Sequence, residues 1–243
     1  MNYPKLVEKI KNSVAVVIAL DTKKKIIHKG SGFIFSKKGI LVTCNHLLKD
    51  TNKVLIKFLN SSYIEAKIAI EDKEHDLVLL RFDDKTRKPI PMSDNTKVKV
   101  GMPVVFSGYP LDLEELTTHQ GVLSAITKDA TGVITYLIDG TVNAGNSGCP
   151  LMNSTGEVIG IVNAKRRERS ILLNKVEKMS MGAISLHDTD LVEILQAIIE
   201  NLQLGIGYAV PVGYIPQHKE IKNNLQTQKI VIKNKNNKKV KKT

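Results

Sequence analysis

The sequence has no tryptophan, 5% aromatic residues and two cysteines among 243 residues. So few aromatics leave Val, Ile and Leu to fill the core, a composition that suits strands. Two cysteines, Cys44 and Cys149, exclude a scaffold built from disulfides and fit a reducing compartment, or a core that needs no staples. Long apolar runs are also missing. The first eleven residues, MNYPKLVEKIK, hold no signal-like stretch, and the best candidate, Val14 to Leu20, stops at Asp21. A spanning helix needs roughly 18 apolar residues, so no transmembrane segment is expected and a cytoplasmic location is the expectation. No His-Glu-x-x-His or Cys-x-x-Cys pair occurs, which argues against a zinc enzyme, and no metal or cofactor is expected.

The net charge of +12 raises the question of nucleic acid, but its position answers it. Nine lysines and one glutamate fall after position 218, so the last 25 residues carry +8 and the rest only +4. The charge belongs to a Lys- and Asn-rich tail, 217–243, that is expected to be disordered. A solvated tail without a role and a weak contact with nucleic acid or an anionic surface are both open.

Along the chain, a short amphipathic helix from about Pro4 to Lys11 precedes a series of β-rich runs. These are Val14–Leu20, Gly32–Phe35, Ile40–Cys44, Val54–Leu59, Tyr63–Ile70 and Leu77–Phe82. A polar, proline-containing linker, Asp83 to Lys97, leads to a second block: Pro103–Tyr109, Thr117–Thr127, Val133–Ile138, Pro150–Met152, Val158–Asn163 and Gly207–Val210. Short strands at this spacing predict an all-β protein. Two six-stranded antiparallel barrels are expected, over 1–90 (with the helix) and 91–216. An insertion, 165–204, interrupts the second block. Asp188 or Asp190 can cap a helix there, near 188–203, whose Leu191, Ile194, Leu195, Ile198 and Leu202 share one face. That helix either packs on the barrel or docks a regulatory partner.

Chemistry concentrates at Gly145-Asn146-Ser147-Gly148. A serine hydroxyl becomes nucleophilic only when a base takes its proton, and the resulting oxyanion needs donors already in place. Glycines beside the serine let consecutive N–H groups point into one small volume. Of six histidines, only His46 directly follows a strongly β-type run, Ile40 to Asn45. Asp76 heads the apolar run Leu77 to Leu80, where it can orient an imidazole. Each feature alone also fits an ordinary loop, surface or turn residue. Together they give the order His46, Asp76, Ser147, with spacings of roughly 30 and roughly 70 residues, the chain order of chymotrypsin.

The chain resembles the trypsin-like peptidase domain of the HtrA (DegP-like) protease family over about Ser13 to Pro216. The resemblance rests on Gly30-Ser31-Gly32-Phe33-Ile34-Phe35, Leu41-Val42-Thr43-Cys44-Asn45-His46 and His75-Asp76-Leu77-Val78-Leu79-Leu80. It continues through Val100-Gly101, Ser107-Gly108-Tyr109-Pro110, Gly121-Val122-Leu123-Ser124, Gly145-Asn146-Ser147-Gly148-Cys149-Pro150 and Gly205-Ile206-Gly207-Tyr208-Ala209-Val210-Pro211. It implies a serine endopeptidase acting on a protein or peptide substrate. Ser147 would be the nucleophile, His46 the general base, Asp76 its orienter, and the N–H groups of Gly145 and Ser147 the oxyanion hole. The pocket for the residue before the scissile bond would be built from Thr141, Val142, Asn143, Val162, Asn163 and Ala164, with Tyr208 nearby. With Thr141 rather than an acid at its base, that pocket implies a small or medium apolar residue. No PDZ domain is expected after the barrels, and Cys149 stands where the family commonly has glycine. A latent or inactive binding module on the same fold remains the competing expectation.

Overall fold

The computed structural model describes residues 2–111, 113–129, 131–164, 179, 185–186, 189–195 and 205–215. Helix α1 (Tyr3–Ile10) opens the chain, with Asn2 Oδ1 accepting the Lys5 N–H at 3.1 Å and proline in the first turn. Both features supply what an N-terminus needs, an acceptor for an orphan N–H and a residue that lacks one. Six strands then close a barrel: β1 (Val14–Leu20), β2 (Ile26–Ser36), β3 (Ile40–Cys44), β4 (Lys53–Phe58), β5 (Ile64–Asp72) and β6 (Leu77–Arg81), in the order β1-β2-β3-β6-β5-β4. The second barrel is built from β7 (Pro103–Gly108), β8 (Thr117–Lys128), β9 (Ile134–Asp139), β10 (Pro150–Met152), β11 (Val158–Val162) and β14 (Ile206–Pro211), in the order β10-β11-β14-β9-β8-β7. Every pairing is antiparallel. The double barrel expected from the strand pattern is the architecture found.

The apolar patterns follow from what each strand faces. In β4, buried residues alternate with half-exposed ones because only one side meets the barrel interior. β1 and β3 are buried throughout. Ala15, Val17 and Leu41 face the first barrel's interior, whereas Val14, Val16, Ile18, Ile40, Val42 and Cys44 join a separate cluster with Val105, Tyr109, Met152, Val158 and Ile161 of the second barrel. That shared cluster glues the barrels together. Each fully buried Leu, Ile or Phe side chain contributes about 1.5–3 kcal/mol, so the interface is a core in its own right.

Leu6 and Ile10 of α1 also join the inter-barrel cluster. A Cβ on Gly156 would lie 2.6 Å from Leu6 Cδ1, so the helix docks on the second barrel as well as preceding the first. The segment expected as a linker is pinned to both barrels. The Ile90 N–H donates to Ile34 at 3.2 Å, and the Val158 N–H donates to Pro91 at 2.8 Å. β2 begins six residues earlier than the sequence pattern indicates, since the stretch Ile26 to Ser31 still pairs with β1.

Of the insertion, the short hairpin β12 (Ser185–Leu186) and β13 (Thr189–Asp190) and a helical stretch over 191–195 are described. Asp190 Oδ1 accepts the Val192 N–H at 2.9 Å, so Asp190 acts as one of the two expected caps. The remainder of that helix, the docking role expected of it, and the tail 217–243 lie outside the described residues. Among the described residues no helix is long and apolar enough to cross a membrane.

Candidate active site

Sheet register sets the first half of the site. β3 pairs with β6 so that Cys44 stands opposite Leu77, which places the residues just past β3 beside those just before β6. The Asn45 N–H donates to the Asp76 carbonyl at 2.9 Å, and the His46 N–H donates to Asp76 Oδ1 at 2.7 Å. His46 Nδ1 lies 2.6 Å from Asp76 Oδ2, which also accepts Asn163 Nδ2 at 2.8 Å. Asp76 has φ +55°, a left-handed conformation that aspartate tolerates better than most residues. Burial pushes the Asp76 carboxyl up. The hydrogen bond and charge of His46, its backbone N–H and Asn163 more than offset this, so the group is held below the usual carboxylate range.

Ser147 comes from the loop between β9 and β10 in the second barrel. Its Oγ lies 3.0 Å from His46 Nε2 and accepts the Ala164 N–H at 3.1 Å. In the neutral form of the ring, His46 Nδ1 donates to the Asp76 carboxylate, which only accepts, and Nε2 is left as an acceptor. The Ala164 N–H only donates, so the single hydroxyl proton of Ser147 then points to His46 Nε2.

Next to it is a tight turn. The Asn146 N–H donates to the Asn143 carbonyl at 3.0 Å, and Gly145, the third residue of the four, has φ +89° while Ala144 is not at positive φ. That combination is a type II turn, which requires glycine at this position. The Ala144 carbonyl accepts the Leu111 N–H at 2.9 Å, and the Asn146 carbonyl accepts the Cys149 N–H at 3.0 Å. In a trans peptide C=O and N–H point in opposite directions. The Gly145 and Ser147 N–H groups therefore point away from those partners, and among the described residues neither is taken by a carbonyl.

The residues expected to line the specificity pocket are placed unevenly. Thr141 is exposed, Asn143 and Tyr208 are half-buried, and Val142 packs beneath Gly207, where a Cβ would meet Val142 Cγ2 at 2.3 Å. Val162 is buried in β11, its carbonyl accepting the Gly148 N–H at 2.8 Å. Asn163 turns its amide to Asp76 and Ala164 its N–H to Ser147, so both support the reacting groups directly. Sequence reasoning did not anticipate those two contacts, nor that of Leu111, which sits at φ +50° on the β7–β8 loop. His75 makes its own pair with Asp72 (2.7 Å) and stacks on Tyr214 at 3.9 Å, away from Ser147.

Cys44, His46 and Asp76 have ligand-type atoms within 4.8 Å of one another. A metal does not fit there. His46 Nδ1 and Asp76 Oδ2 are 2.6 Å apart, closer than the about 3.3 Å between two ligands on one tetrahedral zinc. Both thiols are free and fully buried. Burial pushes Cys44 well above the usual thiol range, aided by the Asp76 charge, and pushes Cys149 up to about 12. Thiolate is the reactive form, so neither cysteine should react with a thiol reagent such as DTNB at neutral pH in the native protein. Both should react after unfolding in guanidinium. A native protein that titrates one thiol at once would contradict this packing.

Two closed barrels, with a carboxylate, an imidazole and a hydroxyl lined up where they meet, define the class of trypsin-like serine hydrolases. The family model of the trypsin-like peptidase domain matches residues 30–161, and the chain belongs to that family. A probable periplasmic serine endoprotease, DegP-like, of Pseudomonas putida (strain W619) is 34% identical over 144 residues, which are 58% of this chain and 30% of that protein. The serine endoprotease DegS of Haemophilus influenzae is 33% identical over 137 residues, 54% of this chain and 40% of that one. The chain thus spans about a third of the length of the curated relatives it matches. Among solved structures, the serine endoprotease from Yersinia pestis superposes with a TM-score of 0.63 at 25% identity, covering 88% of this chain and 63% of that one. The HtrA-type protease AlgW with a tripeptide gives 0.66 at 22% identity over 88% and 60% of the chains, a likeness of fold.

One expectation falls here. The cytoplasmic location is overturned, because the Pseudomonas putida relatives are named periplasmic. The two free thiols do not argue against this: Cys44 is buried in the inter-barrel cluster and Cys149 in the core of the second barrel, which explains their free state without reference to redox conditions.

Proposed function

We propose that the protein is a serine endopeptidase that hydrolyses peptide bonds in protein substrates through an acyl-enzyme on Ser147. One observation carries the reading: His46 lies between Asp76, with Nδ1 2.6 Å from Oδ2, and Ser147, with Nε2 3.0 Å from Oγ. Ser147 Oγ attacks the carbonyl carbon as its proton passes to His46 Nε2, and Asp76 stabilises the imidazolium that forms. The Gly145 and Ser147 N–H groups take the charge on the carbonyl oxygen. His46 then delivers the proton to the leaving nitrogen, the C–N bond breaks, and water hydrolyses the ester by the same route in reverse. The type II turn at Asn143–Asn146, with both N–H groups unclaimed by described carbonyls, supports a competent site over a latent or binding-only one. Thr141 and Val142 favour a small or medium apolar residue before the scissile bond. From the relatives' names we infer a periplasmic site of action.

The test is to treat the protein with a fluorophosphonate probe, map the modified residue by mass spectrometry, and follow casein cleavage in parallel. Labelling confined to Ser147, with cleavage blocked in proportion, is the expected result. Cleavage that continues after complete labelling, once contaminating protease is excluded, would overturn the assignment.

A further inference from the structure

The serine in the Gly30-Ser31-Gly32 motif lies in the first barrel, yet its polar atoms converge on the loop that carries Ser147. Ser31 is fully buried on β2. Its N–H donates to the Ser147 carbonyl at 2.8 Å. Its Oγ lies 2.8 Å from the Gly145 carbonyl and 2.9 Å from the Tyr109 nitrogen. A carbonyl only accepts and an N–H only donates, so the hydroxyl must give its proton to Gly145 and accept from Tyr109. The Ser31 carbonyl is itself tied to Thr43 Oγ1 at 2.6 Å, which keeps this part of β2 from shifting.

We propose that Ser31 is a positioning residue that holds the oxyanion turn in its working orientation, an inference that rests on the peptidase reading above. The hydroxyl acts on the turn from two sides. It fixes the carbonyl of Gly145, the residue at φ +89° whose N–H faces the reacting oxygen. It also anchors Tyr109, two residues before Leu111, whose N–H holds the Ala144 carbonyl. The Ala144–Gly145 peptide is the one that must point its N–H at the oxyanion. Without the hydroxyl, the Gly145 carbonyl and the Tyr109 N–H both lose a buried partner, and that peptide is free to rotate out of the type II arrangement. Substrate would still bind, but in a fraction of molecules one donor would be missing from the hole.

Ser31→Ala removes only the hydroxyl. Deleting one oxyanion donor outright costs about 10²- to 10³-fold in kcat, and displacing one part of the time should cost less. The expected result is kcat lower by about 10- to 100-fold with KM within about 3-fold of wild type. A peptidyl trifluoromethyl ketone adds to the serine oxygen and places a negative oxygen in the hole, so its affinity should fall in step with kcat. An uncleaved peptide should bind Ser147→Ala and Ser31→Ala/Ser147→Ala within about 3-fold of each other, because ground-state binding does not use the hole. Urea unfolding shows that the variant is folded at the assay temperature. A purely structural role would lower the ketone and the peptide affinities alike, and that outcome, or an unchanged kcat, overturns the positioning role while leaving the peptidase reading intact. A wild-type protein that neither cleaves nor is labelled overturns the peptidase reading, and the positioning role with it.

Discussion

Replacing Ser147 by alanine should lower turnover of a peptide substrate by about 10⁴- to 10⁶-fold, and adding His46→Ala should cost almost nothing more. The second half of that statement is the more informative. His46 Nε2 and Ser147 Oγ are 3.0 Å apart, and among the described residues the serine proton has no other acceptor. The two groups therefore perform one act, the transfer of a proton during attack, and removing either abolishes it. Asp76 acts one step back. It fixes the tautomer through Nδ1 at 2.6 Å and the ring position through the His46 N–H at 2.7 Å, and it is itself braced by Asn163. The residual rate in Ser147→Ala should survive in the double variant, because the Gly145 and Ser147 N–H groups and the substrate pocket still act on water-mediated hydrolysis. Steady-state kinetics of the two single variants and the double variant check this. Independent losses that multiply would mean that His46 works on something other than Ser147.

Much of the fold was legible because strand patterning reports what each strand faces. β4 reads as alternating and is half-exposed, whereas β1 and β3 read as continuous apolar runs because both of their sides are buried, one in the barrel and one in its neighbour. A pair of strand blocks with such runs already implies two barrels in contact. That His46, Asp76 and Ser147 come together was legible by order and by strand context. His46 follows β3 and Asp76 precedes β6, and it is the β3–β6 pairing that makes them neighbours. What escaped the sequence was everything made by long-range backbone contact. Ser31 meets Gly145 across 114 positions and Tyr109 across 78, and no local pattern marks a hydroxyl for such a task. Leu111 contributes through its N–H alone, to which the side chain is irrelevant. Asn163 enters the pocket set through the family resemblance, and its contact with Asp76 depends on where the first barrel's carboxylate falls, which no local pattern shows. The start of β2 is hidden for a related reason: Ile26 to Ser31 lacks a clear alternating pattern, and its pairing with β1 and the approach of Gly30 and Ser31 to the Ser147 loop are long-range contacts.

That crowding makes a strong prediction for Gly148. Its φ is +89°, and an added Cβ would lie 1.9 Å from the Ser31 carbonyl oxygen and 2.4 Å from Thr43 Oγ1. A side chain at positive φ costs roughly 1–3 kcal/mol, and forcing extra atoms into a packed core costs a similar amount again. Gly148→Ala should therefore destabilise the protein by about 3–5 kcal/mol, a large share of the roughly 5–15 kcal/mol that holds a domain folded. At about 2–4 °C per kcal/mol the melting temperature should fall by about 6–20 °C. Gly132 separates the two causes. It has the same φ, +89°, but no atom within 4 Å of an added Cβ, so Gly132→Ala carries the backbone cost without the collision. Thermal unfolding of both variants should show a clearly smaller drop for Gly132→Ala. The blocking atom at Gly148 is backbone of the first barrel, and Thr43 ties that backbone in place, so the clash has no flexible side chain to relieve it. The β2 strand must retreat or the Ser147 loop must move. Either shift loosens the bond from the Ser31 N–H to the Ser147 carbonyl, so whatever Gly148→Ala protein remains folded should also lose activity. Equal drops for the two variants would mean that β2 and the loop do not approach this closely, and would remove the physical basis for the two barrels building one site.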